Sequence, residues 1–125
     1  MKYNTLIVEN EDQIIIITLN RPKSLNAISG EMMEELRSLF TNDLLKIKNL
    51  KGVIITGAGD RAFVAGADIS EFLGFTPDTI EAFVRRGHQT FNAIEAFSKP
   101  VIAAIHGFAL GGGCELTMAC HLRIA

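Results

Sequence analysis

Residues 100–116 decide the fold, and in one-letter code they are PVIAAIHGFALGGGCEL. The apolar run at residues 101–105 is short, uncharged and rich in β-branched side chains, so it predicts a strand buried in a sheet. The glycines that follow predict a turn. The last helix is expected to begin within residues 111–113 and to continue through Cys120. A buried strand leading through a tight turn into a helix is typical of α/β proteins.

The same alternation of strands and helices extends towards the N-terminus. A second core strand is predicted at residues 52–57, and a hairpin at residues 3–19, with strands at 6–8 and 14–19 and a polar turn at 9–13. Ser29 and Thr76 are suitable caps for two helices, the second with Pro77 as its first residue. Apolar side chains at helical spacing predict the buried faces of these helices: Met32, Leu36, Leu39, Phe40 and Ile47 in the first, and Ile80, Phe83, Val84, Phe91, Ile94 and Phe97 in the second.

No linker or low-complexity segment divides the chain, so residues 1–125 are predicted to form one α/β unit without an internal boundary. Residues 122–125 have the pattern of a further buried strand. Because a complete domain rarely stops inside such an element, we expect the chain to be part of a larger domain.

Composition excludes several classes of protein. Twelve Lys and Arg residues against fourteen Asp and Glu residues give a net charge of −2, which argues against a nucleic-acid-binding protein. No apolar run is long enough for a membrane span. The two cysteines lie six positions apart, a spacing that indicates neither a zinc site nor a disulfide scaffold. With no signal-peptide pattern at the N-terminus, the expected location is the cytoplasm.

The two glycine-rich segments, at residues 57–69 and 106–116, each follow a predicted strand and carry most of the functional information. Glycines at the start of a helix leave backbone N–H groups free to bind an anion. A second N–H, from Ala67 after Gly66, could converge with that of Gly112 to form an oxyanion hole. Glu115, one helical turn beyond Gly112, could act there as a general base or acid.

Each of these features also has a structural explanation. Three glycines in a row can simply let a helix pack close to a strand, and Glu115 can complement the helix dipole. Asp68 is expected to cap the turn that contains Ser70 rather than to act in catalysis. The three histidines fit no metal-binding spacing, and no serine lies in a nucleophile elbow. Residues 57–62 match the pattern GxGxxA of dinucleotide-binding proteins, but no helix is predicted directly after them.

Taken in order, four segments resemble the enoyl-CoA hydratase/isomerase (crotonase) superfamily. They are residues 20–27 (NRPKSLNA), 57–69 (GAGDRAFVAGADI), 99–107 (KPVIAAIHG) and 109–116 (ALGGGCEL). The resemblance implies a crotonase-like α/β spiral of ββα repeats, of which this chain would contain only the part before the C-terminal helices. It also implies an acyl-CoA substrate, no cofactor besides the coenzyme A of that substrate, and assembly as a homotrimer or homohexamer.

By the same resemblance, the N–H groups of Ala67 and Gly112 would hold the thioester oxygen, and Glu115 would be the first catalytic glutamate. The substrate would also contact two groups of residues: Lys23, Ser24 and Leu25 near the adenine and phosphates, and Ala65, Gly66, Ala67, Asp68, Ile69, Ser70, Gly111 and Gly112 along the acyl-CoA. Lys23 suits its task independently, as a point charge for phosphate.

The implied reaction is the syn addition of water to a trans-2-enoyl-CoA through an enolate. An enoyl-CoA isomerase, a CoA-thioester hydrolase and an inactive CoA-binding module remain alternatives, although isomerases often dispense with the carboxylate that Glu115 would supply. Two departures from the family pattern stand out. The second catalytic glutamate belongs to a later segment, so little activity is expected of this chain alone. Position 121 is His where the family usually has Asp.

Overall fold

The computed structural model describes residues 2–125, and within that range three β-β-α units are followed by one more strand. The first unit consists of β1 (Leu6–Glu11), β2 (Ile14–Leu19) and α1 (Gly30–Ser38). The second and third consist of β3 (Gly52–Gly57), β4 (Ala62–Val64) and α2 (Pro77–Glu95), then β5 (Val101–Ala104), β6 (Phe108–Ala109) and α3 (Gly112–Ala119). The last strand is β7 (Leu122–Ile124). The predicted α/β class is therefore confirmed.

A five-stranded sheet with the order β1-β2-β3-β5-β7 forms the main layer. Strands β1 and β2 are antiparallel, and the other neighbours are parallel. The short strands β4 and β6 pair in a separate parallel sheet, where the sequence predicted only loops. Runs of two or three residues are too short to show a periodicity, so this second sheet had no detectable pattern.

The hairpin is tighter than predicted. Strand β1 continues to Glu11, so the turn contains only Asp12 and Gln13, with φ of 51° and 69°. Two consecutive residues with positive φ make a turn whose twist matches that of the flanking strands. The prediction of a five-residue turn at residues 9–13 is therefore wrong. The polar side chains of β1 suggested a turn because they lie on an exposed strand.

The core lies between one face of the main sheet and α1. Alternate residues of the central strands are fully buried on this face: Ile15, Ile17 and Leu19 in β2, Val53 and Ile55 in β3, and Val101 and Ala103 in β5. Helix α1 contributes Met32, Met33 and Leu36, and the turns that continue it add Leu39, Phe40 and Leu44. Ser29 caps α1 as predicted, because its side chain accepts a hydrogen bond from the Met32 amide.

Helix α2 begins at its predicted cap but buries only part of its apolar stripe. Thr76 caps the helix, and Pro77 is its first residue. Towards the C-terminal end, Ile94 is buried, whereas Ile80 and Val84 are 44% and 46% exposed. The expectation that the whole stripe is core is therefore wrong for the N-terminal half of the helix. Periodicity identifies the face of a helix, but it does not say what covers that face.

The C-terminal residues form the expected strand, since β7 pairs with β5 in parallel. Its side chains are exposed, however, so the expectation of a buried strand is wrong in this structure. His121 joins α2 to the sheet: its Nδ1 accepts a hydrogen bond from the Val101 amide, and its Nε2 lies 2.9 Å from the Glu95 carbonyl oxygen. Among residues 2–125, no helix is both long and apolar enough to cross a lipid bilayer.

Candidate active site

The two glycine-rich segments meet at the edge of the small sheet. Ile28 pairs with this region through two backbone hydrogen bonds: its amide donates to the Gly66 carbonyl at 2.8 Å, and its carbonyl accepts from the Asp68 amide at 2.9 Å. In a parallel bridge of this kind, the residue between the two bonded positions directs its own N–H away from the partner. The Ala67 amide therefore faces away from Ile28.

Gly112 lies close to the Ala67 amide. An ideal Cβ built on Gly112 would lie 3.9 Å from the Ala67 nitrogen and 3.5 Å from Cδ1 of Ile28. Gly112 is the first residue of α3, so its N–H has no partner within the helix. Within residues 2–125, neither amide donates a hydrogen bond to any backbone or side-chain acceptor. Both amides thus lack an acceptor among the described residues, and both residues border the same cavity.

The neighbouring glycines serve the packing of this turn. Gly111 has φ of 52° and ψ of −118°, a conformation that is strongly unfavourable for a residue with a side chain. At Gly113, a Cβ would lie 2.3 Å from the Val64 carbonyl oxygen, so α3 can pack against β4 only without a side chain there. The structural explanation of the glycines is thus correct for Gly113, whereas a Cβ on Gly112 would meet its neighbours only at ordinary contact distances.

A cavity of about 230 Å³ lies beside the two amides, and Glu115 is on its wall. The Glu115 backbone belongs to the first turn of α3, where its amide donates to the Gly111 carbonyl at 3.0 Å. Its side chain is exposed to solvent. Of the predicted site residues, the cavity brings together Ala67, Gly112 and Glu115.

The rest of the cavity wall comes mainly from α1 and α2, and its residues are Met33, Phe83, Val84, Gly87, His88 and Phe91, with Ile28 beside them. Three of these, Phe83, Val84 and Phe91, belong to the stripe that the sequence assigned to the core. Most are apolar, and His88 adds the one imidazole among the described lining residues. A helix that covers a cavity has the same periodic pattern as one that covers a core, so the sequence contained no signal to tell them apart.

The segment predicted to contact the adenine and phosphates lies outside this cavity. Lys23 and Ser24 belong to an exposed turn, and Leu25 follows with φ of 53°. The Leu25 carbonyl accepts a hydrogen bond from the Ala65 amide at 3.1 Å, which brings this turn beside the predicted acyl-CoA-contacting segment. Leu25 also lines a shallow depression of about 110 Å³ with Pro22 and residues 58–62.

Asp68 has the capping role that the sequence predicted. Its Oδ1 accepts hydrogen bonds from the Ser70 amide and hydroxyl, which begins the short turn Ile69–Gly74. Its Oδ2 accepts from the Arg21 guanidinium at 2.8 Å. The hydrogen bonds from Ser70 and Arg21 hold the pKa of the Asp68 carboxyl below its ordinary value. Ile69 and Ser70 are themselves exposed and do not line the cavity.

Two polar residues that organise the site, Asn26 and Arg21, were not assigned a role from the sequence. The buried Asn26 side chain donates to the carbonyls of Ala58 and Ala62 at 2.9 and 3.0 Å and accepts from the Arg21 amide at 2.9 Å. It thereby fixes the loop after β2 to the loop after β3. The available signal was their position inside the segment 20–27 that carries the family resemblance.

The remaining reactive side chains do not form a second cluster. Among residues 2–125, no group of three His, Cys, Asp or Glu side chains is arranged to hold a metal ion. Both cysteines are free thiols, and burial raises the pKa of the Cys120 thiol to about 11. Its thiol donates to the Leu116 carbonyl at 3.4 Å, so Cys120 is a packed core residue.

Comparison with known proteins identifies relatives along nearly the whole chain. The family model for enoyl-CoA hydratase/isomerase matches residues 9–125. The short-chain-enoyl-CoA hydratase of Clostridium acetobutylicum is 42% identical over 125 residues, and the crotonyl-CoA hydratase of Syntrophomonas wolfei is 44% identical over 127. Both alignments cover 100% of this chain and 48% of the relative.

Comparison with solved structures also finds enoyl-CoA hydratases. The crystal structure of an enoyl-CoA hydratase from Bacillus anthracis superposes with a TM-score of 0.92 at 39% identity, covering 98% of this chain and 47% of that one. The expected crotonase fold is therefore confirmed. The chain spans about half the length of the relatives that it matches.

Proposed function

The chain belongs to the enoyl-CoA hydratase/isomerase family, and from that premise we propose that it carries an active site that hydrates trans-2-enoyl-CoA thioesters. The supporting observation is that Ala67, Gly112 and Glu115 border one largely apolar cavity. The Ala67 and Gly112 amides have no acceptor within residues 2–125 and are thus available to a ligand.

The role of the two amides follows from where charge develops. When the oxygen of water bonds to Cβ of the enoyl group, the electrons of the double bond move towards the thioester, and its oxygen becomes an enolate oxygen. Two N–H donors stabilise that oxygen more than they stabilise the starting carbonyl, and each contributes about 3–4 kcal/mol when well aimed. The attacking water loses one proton and Cα gains one, so the net addition of water gives the 3-hydroxyacyl-CoA.

Glu115 is the group that orients the attacking water and accepts its proton. A positioned carboxylate accelerates such a step by roughly 10²–10⁴. Its place in the first turn of α3 also sets it beside the Gly112 amide, so that water and thioester are held by the same turn. This role distinguishes the hydratase proposal from an isomerase, for which no water needs to be held.

The acyl group is proposed to enter the cavity between α1 and α2. Apolar side chains such as Phe83, Val84 and Phe91 suit a hydrocarbon chain. Two relatives are named for short-chain and crotonyl substrates, which favours a short acyl group here as well. Contacts of Lys23, Ser24 and Leu25 with the nucleotide portion stay a prediction, as does assembly into a homotrimer or homohexamer.

The test separates binding from turnover. Butyryl-CoA, which lacks the double bond, should raise the Tm of the 125-residue chain in a concentration-dependent manner, because a ligand that binds only the native state stabilises it. Turnover is measured on the full-length protein that the gene encodes. The assay records the decrease in absorbance as the conjugated thioester of crotonyl-CoA is hydrated. Glu115→Gln should lower kcat at least about 100-fold and leave the Kd for butyryl-CoA within about threefold.

Glu95→Gln is the matched control, because this glutamate is exposed at the end of α2 and does not line the cavity. Gly112→Pro removes one proposed donor at a helix position where proline is tolerated, so it should abolish turnover in a folded protein. Turnover by Glu115→Gln equal to that of the unsubstituted protein would refute the role of this carboxylate. Isomerisation or thioester hydrolysis without hydration would identify a different family activity.

A further inference from the structure

Arg21 links two segments that border the proposed active site. One guanidinium nitrogen, Nη2, donates to Oδ2 of Asp68 at 2.8 Å. The other, Nη1, donates to the Ala27 carbonyl at 2.6 Å. A single planar group therefore connects residues 20–27 to the residue that directly follows Ala67. Lysine could not make both bonds in the same geometry, because its donors radiate from one atom.

The backbone beside this ion pair reinforces the connection. Ile28 follows Ala27 and pairs with both neighbours of Ala67, donating to the Gly66 carbonyl and accepting from the Asp68 amide. Ala67 is thus held on each side by a hydrogen bond to Ile28. The guanidinium of Arg21 joins the same two segments of backbone at Ala27, which precedes Ile28, and at Asp68, which follows Ala67.

We propose that Arg21 is a positioning residue that, through Asp68 and Ala27, holds the Ala67 amide at the angle where it converges with the Gly112 amide. This inference rests on the proposed function, since it assigns Arg21 a task in the assembly of the oxyanion hole. Arg21 does not line the cavity and acts only through the residues that it contacts.

The Arg21–Asp68 pair is less exposed than the other ion pairs among residues 2–125. The side chains of Arg21 and Asp68 are 23% and 15% exposed, whereas those of Arg85 and Glu81 are 65% and 69% exposed. An exposed pair of the second kind contributes little to stability or to local order. Partial burial strengthens the first pair, and the lowered pKa of Asp68 is consistent with a carboxylate held in its charged form.

The direct test measures amide hydrogen exchange in the ligand-free chain. The Ile28 and Asp68 amides, which form the two bonds around Ala67, should be protected in the unsubstituted protein. Arg21→Gln and Asp68→Asn should each lower that protection by about tenfold or more, while core amides of β3 stay protected. Asn can still accept from Ser70, so Asp68→Asn removes the ion pair and preserves the turn.

Arg85→Gln breaks an ion pair of the same chemistry on the surface of α2 and should change neither amide. The double variant Arg21→Gln/Asp68→Asn should be no worse than Arg21→Gln alone, because Arg21→Gln already removes the contact with Asp68. Unchanged protection at Ile28 and Asp68 in both single variants would overturn the proposal. So would a uniform loss at all amides, since that result indicates a general role in stability.

A second measurement reports on the amide of Ala67 itself. The carbonyl stretch of 13C-labelled butyryl-CoA should move to lower frequency on binding, and the shift should be smaller in Arg21→Gln while Kd changes by less than about threefold. A shift that is equal in both proteins would overturn the proposal. The two proposals can fail separately. If the Ile28 and Asp68 amides lose protection as expected but butyryl-CoA does not bind even to the unsubstituted protein, the proposed function fails, and the role of Arg21 in holding the backbone around Ala67 stands.

Discussion

Helices α1 and α2 both carry apolar side chains at helical spacing, and they use them differently. Those of α1, Met32 and Leu36, are fully buried in the core, and only Met33 of this helix reaches the cavity wall. The N-terminal half of α2 leaves Ile80 and Val84 half exposed and places Phe83, Gly87 and Phe91 on the cavity wall. One helix is packed in the core, and the other lines a cavity with part of its apolar face.

The first turn of α3 repeats this contrast on a smaller scale. Gly113 faces the packed side, where Val64 leaves no room for a side chain. Gly112, one residue earlier, faces the cavity and the Ala67 amide. Two adjacent glycines therefore face a packed side and a cavity side of the same turn. Residue type alone does not distinguish a position in the interior from one on a cavity wall.

Leu36→Ala should produce the largest effect on the packed side. Leu36 has no exposed surface, so its truncation removes buried contacts and leaves a cavity, at a cost of about 2–5 kcal/mol in the free energy of unfolding. Chemical denaturation monitored by circular dichroism measures the change. A loss below about 1 kcal/mol would mean that α1 is no more tightly packed than the cavity wall.

Gly113→Ala and Gly112→Ala should separate the two sides of the α3 turn. At Gly113 the new methyl group meets the Val64 backbone, and overpacking of this kind costs about 1–3 kcal/mol or more. At Gly112 it meets atoms only at ordinary contact distances, so stability should change by less than about 0.5 kcal/mol. Denaturation curves of both variants, recorded together, give the comparison, and equal losses would contradict it.

Acid should weaken the connection between Arg21 and Asp68 before it unfolds the rest of the protein. The pKa of Asp68 is lower in the native state than in the unfolded chain, so its contribution to stability is present above the unfolded value of about 4. It is lost as the pH falls through the native pKa. The stability difference between the unsubstituted protein and Asp68→Asn should therefore be largest near neutral pH and shrink below about pH 4. A difference that grows on acidification would reverse the assignment.

Val84→Thr should have the smallest effect on stability. The side chain is already half exposed at the cavity, so the expected change in the free energy of unfolding is within about 0.5 kcal/mol. The affinity for butyryl-CoA should fall, because the substitution adds a hydroxyl group to an apolar wall. Calorimetric titration measures that affinity. A large loss of stability would place Val84 in the core after all.

Local patterns predicted a substantial part of the fold. The caps at Ser29 and Thr76, the central strands and the start of α3 all depend on neighbouring residues, and all are confirmed. The short strands β4 and β6 were missed because they are stabilised by each other although residues 65–107 lie between them. The two-residue turn of the hairpin was missed because polar side chains on an exposed strand resemble a loop.

The candidate site divides in the same way. Glycine spacing and the family resemblance singled out Ala67, Gly112 and Glu115, which the fold places around one cavity. They did not indicate Arg21 and Asn26, whose importance comes from contacts with residues tens of positions away. Nor did they indicate that α2 provides the wall opposite the glycines.

The sequence by itself therefore determined the helices, the strands of the main sheet, their order and the family, since caps, apolar periodicity and ordered motifs are properties of short segments. Only the tertiary structure decided which apolar face is packed and which is open, and which amides have no acceptor nearby. Those properties depend on what lies across a gap of a few ångströms, and that is set by the packing of distant segments.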